Sequence, residues 1–156
     1  MKRLLNELAT LQKEPLDYIY INYNEANVKK INVLMIGGRE TPYSRMFLRF
    51  LIEIPDQYPF EPPKITFTGN YDKKIHPNLI VAYVCLSTLN TGDKHGWVPT
   101  ISLSSLLTTL YSIFTKEMIF TDNSHEHEKS TDYFPGIMHD TFYITCRLLK
   151  DEQNKE

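Results

Sequence analysis

The chain has 156 residues, with 17 Lys and Arg against 19 Asp and Glu, 42% apolar residues and 2 Cys. That length encloses one core and leaves no room for a second independent domain, so residues 1–156 are read as a single unit. The apolar content and a net charge of −2 exclude a disordered chain, and no basic stripe equips it for nucleic acid.

Charge is uneven: the net is +3 over residues 1–50, −1 over 51–100 and −4 over 101–156, so the N-terminal region is the basic one, either a contact surface or solvated charge. Cys85 and Cys146 make no disulfide framework, and no Cys/His spacing forms a structural zinc site; metal: none is the expectation. The segment MKRLLNELATLQKE lacks the apolar stretch of a signal peptide, and no run approaches the ~18 apolar residues of a membrane span. The expected location is cytoplasmic or nuclear, with no membrane partner.

In chain order, Leu4, Leu8 and Leu11 recur at helical spacing with Leu5 alongside, and the helix ends before Pro15. Strands are predicted over Tyr18–Tyr23, Lys30–Ile36, Arg45–Ile54 and Lys64–Thr68. In the third, Met46, Leu48, Phe50, Ile52 and Ile54 alternate with Phe47, Arg49, Leu51 and Glu53. From Gly69 to Thr100 no period is sustained, a length of irregular chain that is often functional. Ser102 caps a helix carrying Leu103, Leu106, Leu107, Leu110, Ile113 and Phe114 on one stripe. Residues 121–132 are polar, and a last helix is predicted over Ile137–Lys150, with Cys146 on its core-facing side. The order gives an α+β domain: an N-terminal helix, a four-stranded antiparallel meander, a long loop and C-terminal helices.

The loop region holds Tyr58-Pro59-Phe60-Glu61-Pro62-Pro63, a turn stiffened by its prolines, then His76-Pro77-Asn78, Cys85-Leu86 and Gly96-Trp97-Val98-Pro99. Each piece alone is weak. In this order, inside a helix, meander, helix frame, they resemble the ubiquitin-conjugating enzymes, over about Lys2 to Lys150. Within that family the chain is most similar to a divergent subgroup with extra residues between cysteine and tryptophan. Thr41-Pro42-Tyr43, Met46-Phe47-Leu48, Cys85-Leu86-Ser87 and His139-Asp140-Thr141 carry that likeness.

The resemblance implies that Cys85 accepts ubiquitin, or a ubiquitin-like modifier, as a thioester from an activating enzyme. The modifier then passes to a lysine of a substrate protein or to a ligase of RING or other type. No cofactor is implied for this chain, since ATP is used by the activating enzyme. A thiol suits the task because even its minor thiolate fraction is strongly nucleophilic. Amine attack on the thioester builds a negative oxygen, and the Asn78 amide is the donor implied for it; losing such a donor typically costs ~10²–10³ in rate. The other role open to Asn78 is structural, holding the loop through hydrogen bonds to backbone. His76 is assigned as a loop brace rather than a base, and Pro77 sets the turn. Trp97 is assigned to packing over the loop that carries Cys85, with Tyr83 and Val84 walling the groove. Asp122 and His125, in the stretch TDNSHEHEKSTD, are the candidates for orienting the incoming amine, with solvated loop residues as the other reading. The family's partner surface implies Lys2, Arg3, Phe60, Pro62, Val98 and Pro99, with Arg3 also able to pair with Glu7 at i, i+4.

Three departures stand out. Asn78 is seven positions before Cys85 where most relatives have eight, and Ala82 stands where they carry glycine; this loop must close differently. The span from Cys85 to Trp97 is longer than in the core family, and that from Trp97 to Ile101 is short. Competing readings are a non-catalytic variant that binds ubiquitin or ligases, and a cysteine hydrolase pairing Cys85 with His76 or His95.

Overall fold

Leu4, Leu8 and Leu11 form one buried stripe on the helix Lys2–Lys13 (α1), while Leu5 faces solvent. The computed structural model describes residues 1–41, 43–69, 76, 78–80, 83–89 and 96–114. After α1 come Ile19–Asn24 (β1), Asn27–Ile36 (β2), Phe47–Glu53 (β3) and Lys64–Phe67 (β4). They form one antiparallel sheet in the order β1-β2-β3-β4, the meander predicted from the alternation.

Register follows from the pleat. Ile31 lies opposite Ile52, Val33 opposite Phe50 and Met35 opposite Leu48, and all six are buried. A slip of one residue would turn that set to solvent, so burial specifies the pairing. Strand β3 begins at Phe47 rather than Arg45 because Arg45 has φ 65°, a left-handed conformation that no strand accommodates. Strand β2 starts earlier than its alternation indicates, since Asn27 pairs with Asn24 across the β1–β2 turn.

The inner face is covered from the C-terminal side by Leu103–Ser112 (α2), which also packs on α1. The Ser102 side chain accepts the Ser105 N–H at 3.1 Å, the predicted N-cap. Leu103, Leu106, Leu107 and Leu110 are buried, each contributing about 1.5–3 kcal/mol of transfer free energy. Phe114, just past the helix, sets its ring 6.0 Å from that of Phe50 on β3.

Two short strands, Leu79–Ile80 (β5) and Tyr83–Val84 (β6), pair as an antiparallel hairpin, with β6 against β4. They fall in the stretch with no sustained period, because two-residue strands are too short to leave one. The predicted helix over 137–150, the polar stretch 121–132, His139-Asp140-Thr141 and Cys146 lie outside the described residues. Among the described residues, no helix is long and apolar enough to cross a membrane.

Candidate active site

The β5–β6 register explains how the shortened spacing closes. Leu79 faces Val84 and Ile80 faces Tyr83, so the next pair outward is Asn78 with Cys85. The Cys85 N–H donates to the Asn78 carbonyl at 2.7 Å, extending the ladder by that pair. The Asn78 side chain adds a bond of its own: Nδ2 donates to the Cys85 carbonyl at 2.9 Å. A separation of seven is thus the one that sets these two residues directly across a hairpin. Cys85 stands half-exposed between buried Val84 and Leu86. Val84 belongs to the core rather than to the wall of a groove.

His76 is 2% exposed. Its Nδ1 accepts the backbone N–H of Asn78 at 3.0 Å, which assigns the proton of the neutral ring to Nε2. Its carbonyl accepts from Leu79 N–H at 3.0 Å, so the residue fastens the start of β5 from both sides. The ring lies 6.1 Å from Tyr43 and 5.8 Å from Phe114, edge-on to the latter, and Tyr43 and Phe114 meet each other at 5.2 Å. This buried aromatic box holds the imidazole in place, and a lone pair committed to a backbone N–H is poorly suited to accept a proton from a substrate.

Tyr43 reaches the box through its own turn. Thr41 Oγ1 donates to the Gly38 carbonyl at 2.9 Å and accepts the Tyr43 N–H at 3.2 Å, and Gly37 N–H donates to Met46 O at 2.9 Å. A Cβ on Gly37 would fall 1.8 Å from the Tyr43 carbonyl oxygen, so only glycine lets the backbone pass this close. The turn recognised in the sequence as Thr41-Pro42-Tyr43 therefore serves the site by supporting His76, a role that no local pattern revealed.

A second group of residues gathers along α1. Phe60 is 76% exposed and Val98 47%, with Pro99 and Lys2 also exposed and Pro62 half-buried. Phe60 therefore stands clear of its own turn. Trp97 joins that turn to the segment beyond the long loop, its Nε1 donating to the Pro59 carbonyl at 2.8 Å and its ring 6.1 Å from Tyr58. Arg3 pairs with Glu7 at 2.9 Å, the predicted i, i+4 contact, and Nη2 also donates to the Ile101 carbonyl at 3.0 Å. Pro77, Asp122 and His125 lie outside the described residues, as do Pro42, Ala82 and His95.

A hairpin joining Asn78 to a half-exposed cysteine, and a helix-and-two-loop surface with exposed apolar tips, occur here on an α+β frame of known type. A crystal structure of a ubiquitin-conjugating enzyme E2 from Plasmodium falciparum superposes with a TM-score of 0.65 at 26% identity, covering 74% of this chain and 97% of that one. The family model described as ubiquitin-conjugating enzyme matches residues 3–133. The chain belongs to the ubiquitin-conjugating enzyme family. It is similar to ubiquitin-conjugating enzyme E2 Z of Xenopus tropicalis, 31% identical over 95% of this chain and 50% of that protein. It is also similar to ubiquitin-conjugating enzyme E2 T of Xenopus laevis, 36% identical over 74% of this chain and 59% of that protein. Against human E2 Z the identity is 30%, over 44% of that protein, so the chain spans about half the length of these E2 Z relatives.

Proposed function

We propose that this chain, as one conjugating domain over residues 1–156, carries ubiquitin or a ubiquitin-like modifier as a thioester on Cys85. The observation that supports this most directly is a half-exposed cysteine fixed across a hairpin from Asn78 by a backbone and a side-chain hydrogen bond. In the loading step the Cys85 sulfur attacks the carbonyl carbon of the modifier's thioester on the activating enzyme. A new C–S bond forms, the old one breaks, and the departing thiolate takes up the proton. In the discharge step a substrate amine attacks the same carbon, the C–N bond forms as the C–S bond breaks, and the departing Cys85 thiolate takes up the proton that the amine loses.

Asn78 serves the second step in two ways. Its bond to the Cys85 carbonyl uses one of the two Nδ2 hydrogens and holds the cysteine backbone still. The other hydrogen is the donor for the oxyanion that develops next to it. His76 acts only through Asn78, as the acceptor that keeps its backbone in register. Asp122 and His125 are proposed to orient the incoming amine. ATP is consumed by the activating enzyme, and no cofactor is required of this chain. Lys2, Phe60, Pro62, Val98 and Pro99, with Arg3 behind them, form the surface that meets the activating enzyme and RING-type or other ligases in turn.

Incubating the chain with an activating enzyme, ubiquitin or a ubiquitin-like modifier, and ATP should give an adduct that reductant removes and that Cys85→Ala lacks. An adduct persisting in Cys85→Ala would overturn the site. Failure of the wild-type chain to load with any of several activating enzymes, combined with binding of ubiquitin, would instead establish a non-catalytic binding role.

A further inference from the structure

Arg3 and Glu7 stand one turn apart on α1, and Tyr58 comes from the turn between β3 and β4, yet their polar atoms form one chain of bonds. Arg3 donates through Nε to Glu7 Oε1 at 2.9 Å and through Nη2 to the Ile101 carbonyl at 3.0 Å. The other carboxylate oxygen, Oε2, accepts the Tyr58 hydroxyl at 2.5 Å. The Glu7 side chain is only 14% exposed, so this is no solvated surface pair of the kind that contributes little. Burial, and then the adjacent carboxylate, pushes the Tyr58 phenol far above its usual range, so its proton remains on the Glu7 bond through neutral pH.

Beyond the triad the chain of contacts continues. Tyr58 lies beside Trp97, whose indole N–H donates to the Pro59 carbonyl, and Ile101 N–H closes a turn onto Val98 O at 3.0 Å. One carboxylate thus connects the helix to both loops that carry the exposed tips, Phe60 on one and Val98 on the other. Removing its charge would leave one acceptor oxygen where two now serve Arg3 Nε and the Tyr58 hydroxyl, so the tie to Tyr58 weakens and the Arg3 side chain that reaches the Ile101 carbonyl loses the partner that orients it.

We propose that Glu7 is a positioning residue for the partner-docking surface, setting the spacing between Phe60 and Val98 through Arg3 and Tyr58. It does so without itself contacting the partner. The proposal rests on the reading of this surface given under the proposed function. A rigid anchor is worth more to a partner than a mobile one because less ordering remains to be done on docking.

The test is a double-mutant cycle on the full chain, reading initial rates of Cys85 loading as the concentration of this protein is varied against a fixed activating enzyme. Phe60→Ala should raise KM about tenfold and Glu7→Gln about fivefold, both with kcat kept, and the double variant should stay near tenfold rather than reach ~50-fold, because the two act through one contact. Tyr58→Phe, which removes a hydroxyl and keeps the ring, should reproduce part of the Glu7→Gln effect and carries the test if Glu7→Gln fails to fold. Thermal unfolding of each variant keeps the assay below its transition. Multiplicative effects in the double variant, or a fall in kcat at constant KM, would overturn the positioning role while loading of the wild type still stands. A wild type that never loads would overturn both readings.

Discussion

The hairpin around Cys85 and the surface around Phe60 are built by opposite means. The hairpin is braced from beneath by a closed aromatic box, with Tyr43 and Phe114 buried against a buried imidazole. The surface around Phe60 is braced from the side by charged and polar bonds, and its apolar tips are left in solvent. Packing suits a site where one sulfur must hold its place, since core contacts are close and cooperative. Hydrogen bonds suit the proposed docking role, in which a solvated surface presents fixed anchors. Damage to the first region should therefore affect stability and chemistry together, whereas damage to the second should affect partner use with little loss of stability.

The largest expected effect is on the box. Phe114→Ala should destabilise by about 3–5 kcal/mol, seen as a lower denaturant midpoint, with loading of Cys85 reduced in parallel. His76→Ala comes next, at roughly 1–3 kcal/mol, because the half-buried Asn78 N–H loses its acceptor and the buried imidazole leaves a gap. Asn78→Ala sharpens the division within the hairpin. If the amide serves the oxyanion, discharge to free lysine should fall ~10²–10³-fold with loading nearly kept, whereas equal losses in both steps would leave it only the backbone role.

On the other side of the comparison the effects on folding are smaller. The pH dependence of stability reports on Tyr58 when wild type and Tyr58→Phe are compared. Its pKa is raised in the folded state above the ordinary value of 10.0, so its contribution is fully present below pH 10 and declines as pH rises beyond it. Tyr58→Phe should lessen that decline, leaving the part due to Tyr111, whose phenol is also pushed up by burial, and denaturant midpoints at pH 8 and pH 11 for both proteins would check it. Phe60→Ala should change stability by less than ~0.5 kcal/mol while weakening use of the activating enzyme, since the ring is 76% exposed. A large loss of stability there would erase the contrast between the two regions.

Alternation and helical spacing carried most of the fold, because burial is what periodicity records. Ile31, Val33 and Met35 on β2, the β3 set from Leu48 to Ile52, and the leucines of α2 all turn inward as their pattern requires. The motif residues His76, Asn78, Cys85 and Trp97 were equally visible, as residue types in an order. Their partners were not. Whether the Asn78 amide meets the cysteine backbone, which ring supports His76, and where the indole of Trp97 donates depend on groups that chain proximity does not connect.

The amino-acid sequence by itself determined the order of α1, the four-stranded meander and α2, their inward faces, the family and the identity of the one cysteine in the motif, since each is written in local spacing and residue type. Only the tertiary structure decided that a seven-residue separation becomes a hairpin pairing Asn78 with Cys85, that Tyr43 braces His76, and that Glu7 ties Arg3 to Tyr58. The physical reason is range: burial patterns repeat every two to four residues, but a hydrogen bond or ring contact between distant segments exists only once the sheet, α1 and α2 have fixed where those segments meet.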